Sequence, residues 1–142
     1  MNKLTALMIT VPGDPKGKGR PRFTRAGFAY TPKDTVHYEN LVKLAFQEAY
    51  PDWIPVEGPV IIVWRAFYTV PKSWSKKKKA LIQAGKNAKT SKPDTDNIAK
   101  VKDALNGIVW KDDAQVYYEI IGKFYGDKPR LEVEIYVEEG KQ

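Results

Sequence analysis

The sequence predicts an α+β fold, a single domain over residues 1–142 with a mixed β-sheet of about four strands and two to three helices. Four stretches are apolar and rich in strand-forming residues, and they are separated by stretches whose apolar residues repeat at helical spacing. Their order along the chain is β-α-β-(α)-α-β-β, which is typical of helices packed on a sheet. With 142 residues, 42% of them hydrophobic, the chain is long enough to bury one core.

The composition restricts the possible partners and metal sites. The formal charge is +7, from 24 lysines and arginines against 17 acids, and this excess favours a polyanion as partner. Cysteine is absent and there is one histidine, so thiolate sites are excluded and oxygen ligands remain for a metal. The apolar run before Pro12 is too short for a signal peptide or a membrane span. We therefore expect a cytoplasmic protein with no membrane partner.

The first predicted strand, Leu4 to Val11, ends at a Pro-Gly pair and leads into a basic loop. Five cations alternate there with glycine, proline and an aromatic residue, and such a loop can approach a phosphate backbone closely. Phe23, Phe28 or Tyr30 could stack on an exposed base. The alternative is a solvated loop, but the overall charge favours contact with DNA. The predicted DNA-binding residues are Lys16, Lys18, Arg20, Arg22 and Arg25.

A helix and a strand are predicted next. The helix enters at Thr31–Asp34, and its apolar positions follow at i, i+3, i+4, i+7, i+8 and i+11: Tyr38, Leu41, Val42, Ala45, Phe46 and Ala49. His37 has no catalytic partner in the sequence and is assigned a surface or packing role. The stretch from Val60 to Val70 is apolar on both faces and predicts a central strand, in which Arg65 either pairs or emerges at an edge.

A second basic segment covers residues 72–92 and contains eight lysines and no acid. Ser73 or Ser75 can cap a short helix within it. Such a segment is either a solvated lysine-rich loop or an arm that orders on nucleic acid. Because it leads directly into an acidic cluster, we predict that it brings phosphates there. The residues predicted to bind DNA are Lys76, Lys77, Lys78, Lys79 and Lys92.

The acidic cluster opens with Asp94 and Asp96, which are placed to cap a short amphipathic helix that ends at Asn106-Gly107. At about 100° per residue, Asp96, Lys100 and Asp103 fall on one stripe, opposite Ile98, Val101 and Leu105. Asp112 and Asp113 follow in a turn or at a strand edge.

A metal site is the more specific interpretation of these acids. If the later turn folds back, Asp94, Asp96 and one of the Asp112/Asp113 pair could converge, and Mg²⁺ or Mn²⁺ would relieve their repulsion. The alternative is ordinary helix capping, turn chemistry and a surface ion pair between Asp96 and Lys100.

Two strands, Val116 to Phe124 and Leu131 to Val137, are predicted to complete the sheet. The second alternates apolar and polar residues, so we expect it to have one wet face and to lie near an edge in an antiparallel pair. We expect its acids to be solvated rather than catalytic; they are Glu132, Glu134, Glu138 and Glu139.

The motifs P-D-x-D-N-x-x-K, D-A-L-N-G and W-K-D-D-x-Q-V resemble the signature of RusA-type Holliday-junction resolvases, a family of endodeoxyribonucleases. Weaker matches lie at Val11–Gly13 and Lys18–Phe23. The resemblance implies a structure-selective nuclease that resolves four-way junctions by Mg-dependent, symmetric hydrolysis as a homodimer, with Mn²⁺ able to substitute. It also implies that Asp94, Asp96 and Asp113 bind metal and that Lys100 is catalytic.

Three further residues are candidates for supporting these groups without binding metal: Asn97, Asp103 and Asp112. The gap between Lys100 and Asp103 is one residue shorter than the family pattern, which leaves the role of Asp103 open. Two other functions also remain open. One is a non-catalytic DNA-binding module, and the other is a metal-dependent nuclease or phosphodiesterase acting on branched phage DNA or RNA.

Overall fold

The computed structural model of the chain describes residues 3–139, and its centre is a four-stranded mixed sheet. The strands of this sheet are β1 (Lys3–Pro12), β4 (Val60–Tyr68), β5 (Val116–Tyr125) and β6 (Arg130–Glu139), and β2 (Arg22–Phe23) and β3 (Ala29–Tyr30) form a separate two-stranded ribbon. The α-helices are α1 (Lys33–Ala49), α2 (Lys76–Gln83) and α3 (Thr95–Ala99), followed by short 3₁₀ helices at Lys100–Leu105 and Asp113–Gln115. The predicted α+β class and element order are confirmed; the β2–β3 ribbon is an addition.

The strand order is β1-β6-β4-β5. The prediction that β4 is central is confirmed, since it pairs with β5 in parallel and with β6 in antiparallel fashion. The predicted antiparallel pairing of β6 is confirmed, but β6 is an interior strand next to the edge, because it pairs with β4 and also with β1 along its whole length. Alternation along a strand reports which face is buried, whereas it does not report how many neighbouring strands there are. The edges of this sheet are β1 and β5.

One face of the sheet carries the core. Every second residue of β4 from Val60 to Tyr68 is buried, and Tyr38, Val42 and Phe46 of α1 are buried too. Leu41 and Ala49, which also fit the helical spacing, are exposed. Between residues 3 and 139, no helix has the length and apolar character needed to cross a membrane.

The other face of the sheet carries ion pairs. Arg65 donates to the Glu134 carboxylate, which also accepts a hydrogen bond from Tyr136 at 2.7 Å, while Arg130 bonds Glu132 at 2.8 Å. Arg65 therefore pairs, as one of its two predicted alternatives stated. The expectation that Glu132 and Glu134 are simply solvated is wrong, since both are held in partly buried pairs. Glu138 is partly buried, and the side chain of Glu139 lies outside the described part of the structure.

The helix predicted after Asp94 is helical but is not one α-helix. α3 ends at Ala99, and the chain continues as a 3₁₀ helix from Lys100 to Leu105. A 3₁₀ helix turns about 120° per residue, so Val101 and Ala104 are stacked in one row, and both are buried. Lys100 and Asp103 are also three residues apart, so the same geometry keeps these two side chains in one row.

The predicted end of this helical stretch is confirmed. Asn106 closes the 3₁₀ helix, and Gly107 has a φ of +76°, a conformation that glycine adopts without strain. The prediction of a capped helix in the lysine segment is also confirmed, since the Ser75 hydroxyl accepts a hydrogen bond from the Lys78 amide at 3.1 Å and opens α2.

Candidate functional site

The acidic cluster starts at the N-terminus of α3. Asp94 is the N-cap residue, yet its carboxylate makes no capping hydrogen bond, and Asp96 in the first turn has 73% of its side chain exposed. The Lys100 ammonium lies 4.0 Å from the Asp96 carboxylate and 3.5 Å from the side-chain oxygen of Asn97. Capping therefore does not account for the Asp94 side chain, and the Asp96–Lys100 pair is long and exposed.

The later acidic pair divides into two roles. The Asp112 carboxylate accepts a hydrogen bond from the Ala114 amide at 3.0 Å, and Gln115 accepts one from the Asp112 amide at 2.9 Å, which forms a capping box. The Gln115 side-chain amide also donates to the carbonyls of Val56 and Gly58, each at 2.9 Å. Asp112 thus stabilises the turn, while the Asp113 carboxyl faces Asp103.

Asp103 and Asp113 form a hydrogen-bonded carboxyl pair. The bond with Asp103, together with partial burial, raises the pKa of Asp113 to about 6. The same bond, opposed by burial and supported by Lys18, lowers the pKa of Asp103. Asp113 is therefore the weaker acid of the two. The predicted helical stripe did not indicate this contact, because it joins the 3₁₀ helix after α3 to a separate 3₁₀ helix further along the chain.

Asn106 is a site residue that the sequence indicated merely as a helix end. It hydrogen-bonds Asp113, and this bond opposes the rise in the pKa of that carboxyl. Its side-chain oxygen accepts a hydrogen bond from the Trp110 indole at 2.7 Å, and Trp110 is fully buried. A buried tryptophan thus fixes the Asn106 side chain, which contacts the acidic pair. The spacing of the acids along the sequence does not indicate this contact.

The basic loop between β1 and β2 packs directly against α3. The Lys18 amide donates to the Asn97 carbonyl at 2.8 Å, and a β-carbon at Gly17 would lie 3.0 Å from those of Pro93 and Asn97. The Lys18 ammonium donates to Asp103 at 2.7 Å and lies 3.5 Å from Glu39 of α1. Partial burial acts to lower the pKa of Lys18, but these two carboxylates outweigh it and raise the pKa.

The remaining cations of this loop are exposed. Lys16, Arg20 and Arg22 line a groove of about 430 Å³ between the loop and the start of α1. In and around the β2–β3 ribbon, the aromatic side chains are also open to solvent, with Phe23 69% and Phe28 72% exposed. Arg25 and Tyr30 are exposed as well. The predicted DNA-binding cations thus lie beside the acidic cluster on an accessible surface.

The lysine segment borders the cluster from the other direction. Lys76, Lys77 and Lys78 of α2 are exposed and Lys79 is half-buried. Trp74 anchors this helix, with the Lys78 ammonium 3.8 Å from the centre of its ring and the ring of Tyr125 4.8 Å away. The Lys123 ammonium donates to the carbonyls of Ser91 and Pro93 at 2.7 and 2.8 Å, so β5 holds the chain that leads through the exposed Lys92 into Asp94.

The donor chemistry of this region suits a hard cation. Its side chains offer carboxylate and amide oxygens, and the contact of Asp103 with Asp113 brings together two carboxyl groups whose repulsion a divalent cation would relieve. Within residues 3–139, however, no group of three or more His, Cys, Asp or Glu side chains is arranged to hold a metal ion. The convergence of Asp94, Asp96 and Asp113 on one point stays a prediction.

Comparison with known proteins identifies the family. The family model described as endodeoxyribonuclease RusA matches residues 12–136, which covers both basic segments and the whole acidic cluster. The chain belongs to the RusA endodeoxyribonuclease family. The resemblance seen in the motifs is therefore confirmed, and membership in the RusA family implies a nuclease that acts on Holliday junctions.

A curated relative matches the chain over nearly the full length. The chain is 38% identical over 138 residues to an uncharacterised protein, YqaN, of Bacillus subtilis (strain 168), and the match covers 93% of this chain and 96% of that protein. A match of this extent leaves no large segment of either chain unaligned.

Proposed function

We propose that this RusA-family protein is a Mg²⁺-dependent endodeoxyribonuclease that resolves four-way DNA junctions, acting as a homodimer that makes two symmetric nicks. The observation that carries the proposal is the contact between the two kinds of segment. The basic loop lies against α3 through the 2.8 Å hydrogen bond from Lys18 to Asn97, and the lysine segment runs directly into Asp94. Phosphates attracted by either segment are thus brought to exposed carboxylates.

Asp94, Asp96 and Asp113 are the residues that we propose to hold Mg²⁺, with Mn²⁺ able to substitute. When bound, the ion would supply positive charge at the scissile phosphate and make a nearby water more acidic. The exposure of Asp96 and the uncapped Asp94 carboxylate leave both side chains available to such a ligand. Asp112 is excluded from the proposed set because its carboxylate caps the following turn.

Lys100 is the proposed electrostatic catalyst. Its ammonium lies within 4.0 Å of Asp96 on an exposed surface, where it can contact a phosphate oxygen that gains charge in the transition state. The cations proposed to bind DNA through its phosphates are exposed, apart from the half-buried Lys79. They are Lys16, Arg20, Arg22, Arg25, Lys76, Lys77, Lys78, Lys79 and Lys92.

The test is cleavage of a labelled four-way junction, a linear duplex and an RNA duplex, each with and without Mg²⁺. We expect the wild-type protein to cut the junction in the presence of Mg²⁺ and Asp96→Asn to lose cleavage. The same variant should bind the junction as well as wild type or more tightly, because it loses a metal ligand and also a negative charge that repels phosphate. Wild-type turnover by Asp96→Asn would overturn the metal assignment, and binding without any cleavage would favour a non-catalytic module.

A further inference from the structure

Lys18 differs from the other cations of the basic loop. Three-quarters of its side chain is buried, and its ammonium lies between two carboxylates, 2.7 Å from Asp103 and 3.5 Å from Glu39. Lys16, two residues earlier, is exposed and has no ion-pair partner among residues 3–139. Two lysines in the same loop therefore occupy different environments, and a phosphate has free access to Lys16 alone of the two.

The partners of Lys18 connect three separate parts of the chain. Glu39 belongs to α1, Asp103 belongs to the 3₁₀ helix after α3, and the Lys18 amide bonds the Asn97 carbonyl of α3 itself. Asp103 in turn touches Asp113, the acid contributed by the turn before β5. A cation at this point offsets the charge of Asp103, which otherwise would repel Asp113 directly.

The neighbouring glycine makes this contact close. A β-carbon at Gly17 would lie 3.0 Å from the β-carbons of Pro93 and Asn97, a separation tighter than ordinary van der Waals contact. The loop is therefore in full contact with the segment that carries Asp94 and Asp96. Because the packing leaves little clearance, the place of the loop and the place of these acids are set together.

We propose that Lys18 is a positioning residue, which ties the basic loop to the acidic cluster through Asp103 and thereby orients Asp113. The inference rests on the proposed function, since it takes Asp113 as an acid used in cleavage. A lysine that only contacts DNA is expected to behave differently. Its loss weakens binding, but the rate at saturating substrate is kept. Loss of a positioning residue lowers the rate at saturation, because a misplaced group costs up to about 10²-fold.

Two readouts test this role. The first is the slope of log affinity against log salt for the four-way junction without divalent metal, compared between Lys18→Met and Lys16→Met. We expect Lys16→Met to reduce the slope by about one phosphate contact and Lys18→Met to leave it at the wild-type value. A reduction at Lys18 equal to that at Lys16 would make Lys18 a phosphate contact and overturn the proposal.

The second readout is the single-turnover cleavage rate at saturating junction and Mg²⁺. Lys18→Met and Asp103→Asn should each lower this rate at least about tenfold, and the double variant should be no slower than the slower single variant, since both remove the same link. Lys18→Arg, which keeps the charge, should recover most of the rate. Wild-type rates for Lys18→Met, or losses that multiply in the double variant, would contradict the link.

Failure of the proposed function gives a different pattern. If Asp113→Asn cleaves like wild type, the assignment of Asp113 is wrong, and the positioning role falls with it. If Asp113→Asn is inactive while Lys18→Met retains both its salt slope and its rate, the proposed function stands and the inference about Lys18 alone is overturned. Melting curves on the same samples confirm that each variant is folded.

Discussion

At the scale of single residues, the carboxylates of the acidic cluster differ in the contacts that they make within the protein. Asp112 caps a turn, Asp103 binds Lys18, and the Asp113 carboxyl contacts Asp103. Asp94 and Asp96 are left without such roles, since the first makes no capping bond and the second has one long, exposed ion pair. The two acids at the start of α3, Asp94 and Asp96, therefore make the fewest contacts within the protein, and their side chains are free to bind a ligand.

Lys100 is either one partner of a surface ion pair or a catalytic group, and its substitution separates the two roles. Its pair with Asp96 is 4.0 Å long between exposed side chains, and such pairs contribute less than about 1 kcal/mol to the free energy of unfolding. If its ammonium stabilises charge on the phosphate, Lys100→Ala should lower the single-turnover rate by about 10²–10³-fold, which is the usual effect of removing one such group. The melting temperature and the junction affinity should stay close to wild type.

Two further variants give this comparison its controls. Lys100→Arg keeps the charge but changes its shape and reach, so we expect partial activity at most. Lys111 is another exposed lysine near the cluster and has no assigned role, so Lys111→Ala should cleave at the wild-type rate. Cleavage by Lys100→Ala at a rate within a few-fold of wild type would show that Lys100 forms only a surface ion pair.

The residue types at the site were predictable from the sequence, but their contacts were not. Local spacing placed Asp94, Asp96 and Lys100 near one helix start. In the structure, Asp94 is the N-cap residue of α3, Asp96 lies in its first turn and Lys100 directly follows its last residue. The Lys18–Asp103 pair joins residues 85 positions apart, and the contact of Asp103 with Asp113 joins two separate 3₁₀ helices. Neither follows from periodicity, because periodicity assumes one helix geometry and carries no information on long-range docking.

At the scale of elements, α2 is a lysine-bearing helix fixed to the sheet by an aromatic contact. Trp74 packs edge-on against Tyr125 of β5, with 4.8 Å between the ring centres, and the Lys78 ammonium lies over the Trp74 ring. The helix has no fully buried residue, and it is held by Trp74, by the partly buried Ile82 and by the Ser75 cap. Such an element presents charge while contributing little to the core.

Neutralising this helix should weaken DNA binding without changing sequence preference. Substituting Lys76, Lys77, Lys78 and Lys79 by glutamine keeps helix propensity but removes four charges, and each lost phosphate contact reduces the salt slope by about 0.9. We expect lower affinity for junctions of any sequence, since phosphate contacts carry no base information. Replacing the same residues by arginine is the matched control and should keep the slope, whereas an unchanged slope in the glutamine variant would make α2 a bystander.

The elements themselves were predicted more accurately than their pairing. The apolar runs of β1, β4, β5 and β6 and the spacing of α1 were sufficient to locate them, because burial of one face imposes a period on the sequence. The interior position of β6 was missed, since a strand with one wet face can have one neighbour or two. On β6 the wet face is occupied by ion pairs with Arg65 and Arg130, which satisfy the charges of an interior strand.

At the scale of the whole molecule, the chain has a sheet covered on one face, with the acidic cluster between two basic segments. The loop before α1 and the lysine segment after β4 are far apart in sequence, yet both reach the start of α3. The loop does so through its hydrogen bond to Asn97, and the lysine segment runs directly into Asp94. A nucleic acid that contacts both segments therefore passes the cluster. Under the proposed function, the cluster of one chain would cut one strand.

Symmetric resolution of a four-way junction requires two such clusters, and this gives the final prediction. A junction has near two-fold symmetry, so a homodimer with two-fold symmetry would place one cluster at each of two equivalent phosphates. Sedimentation at the concentrations used for cleavage should give a dimer of about twice 16.1 kDa.

Mixed dimers of wild type and a tagged Asp96→Asn chain, isolated through the tag, contain one intact cluster. On a plasmid carrying an extruded cruciform they should produce nicked circles, whereas tagged wild-type dimers should produce linear DNA. Linear product from the mixed dimers, or cleavage by a protein that sediments as a monomer, would contradict paired action by two subunits.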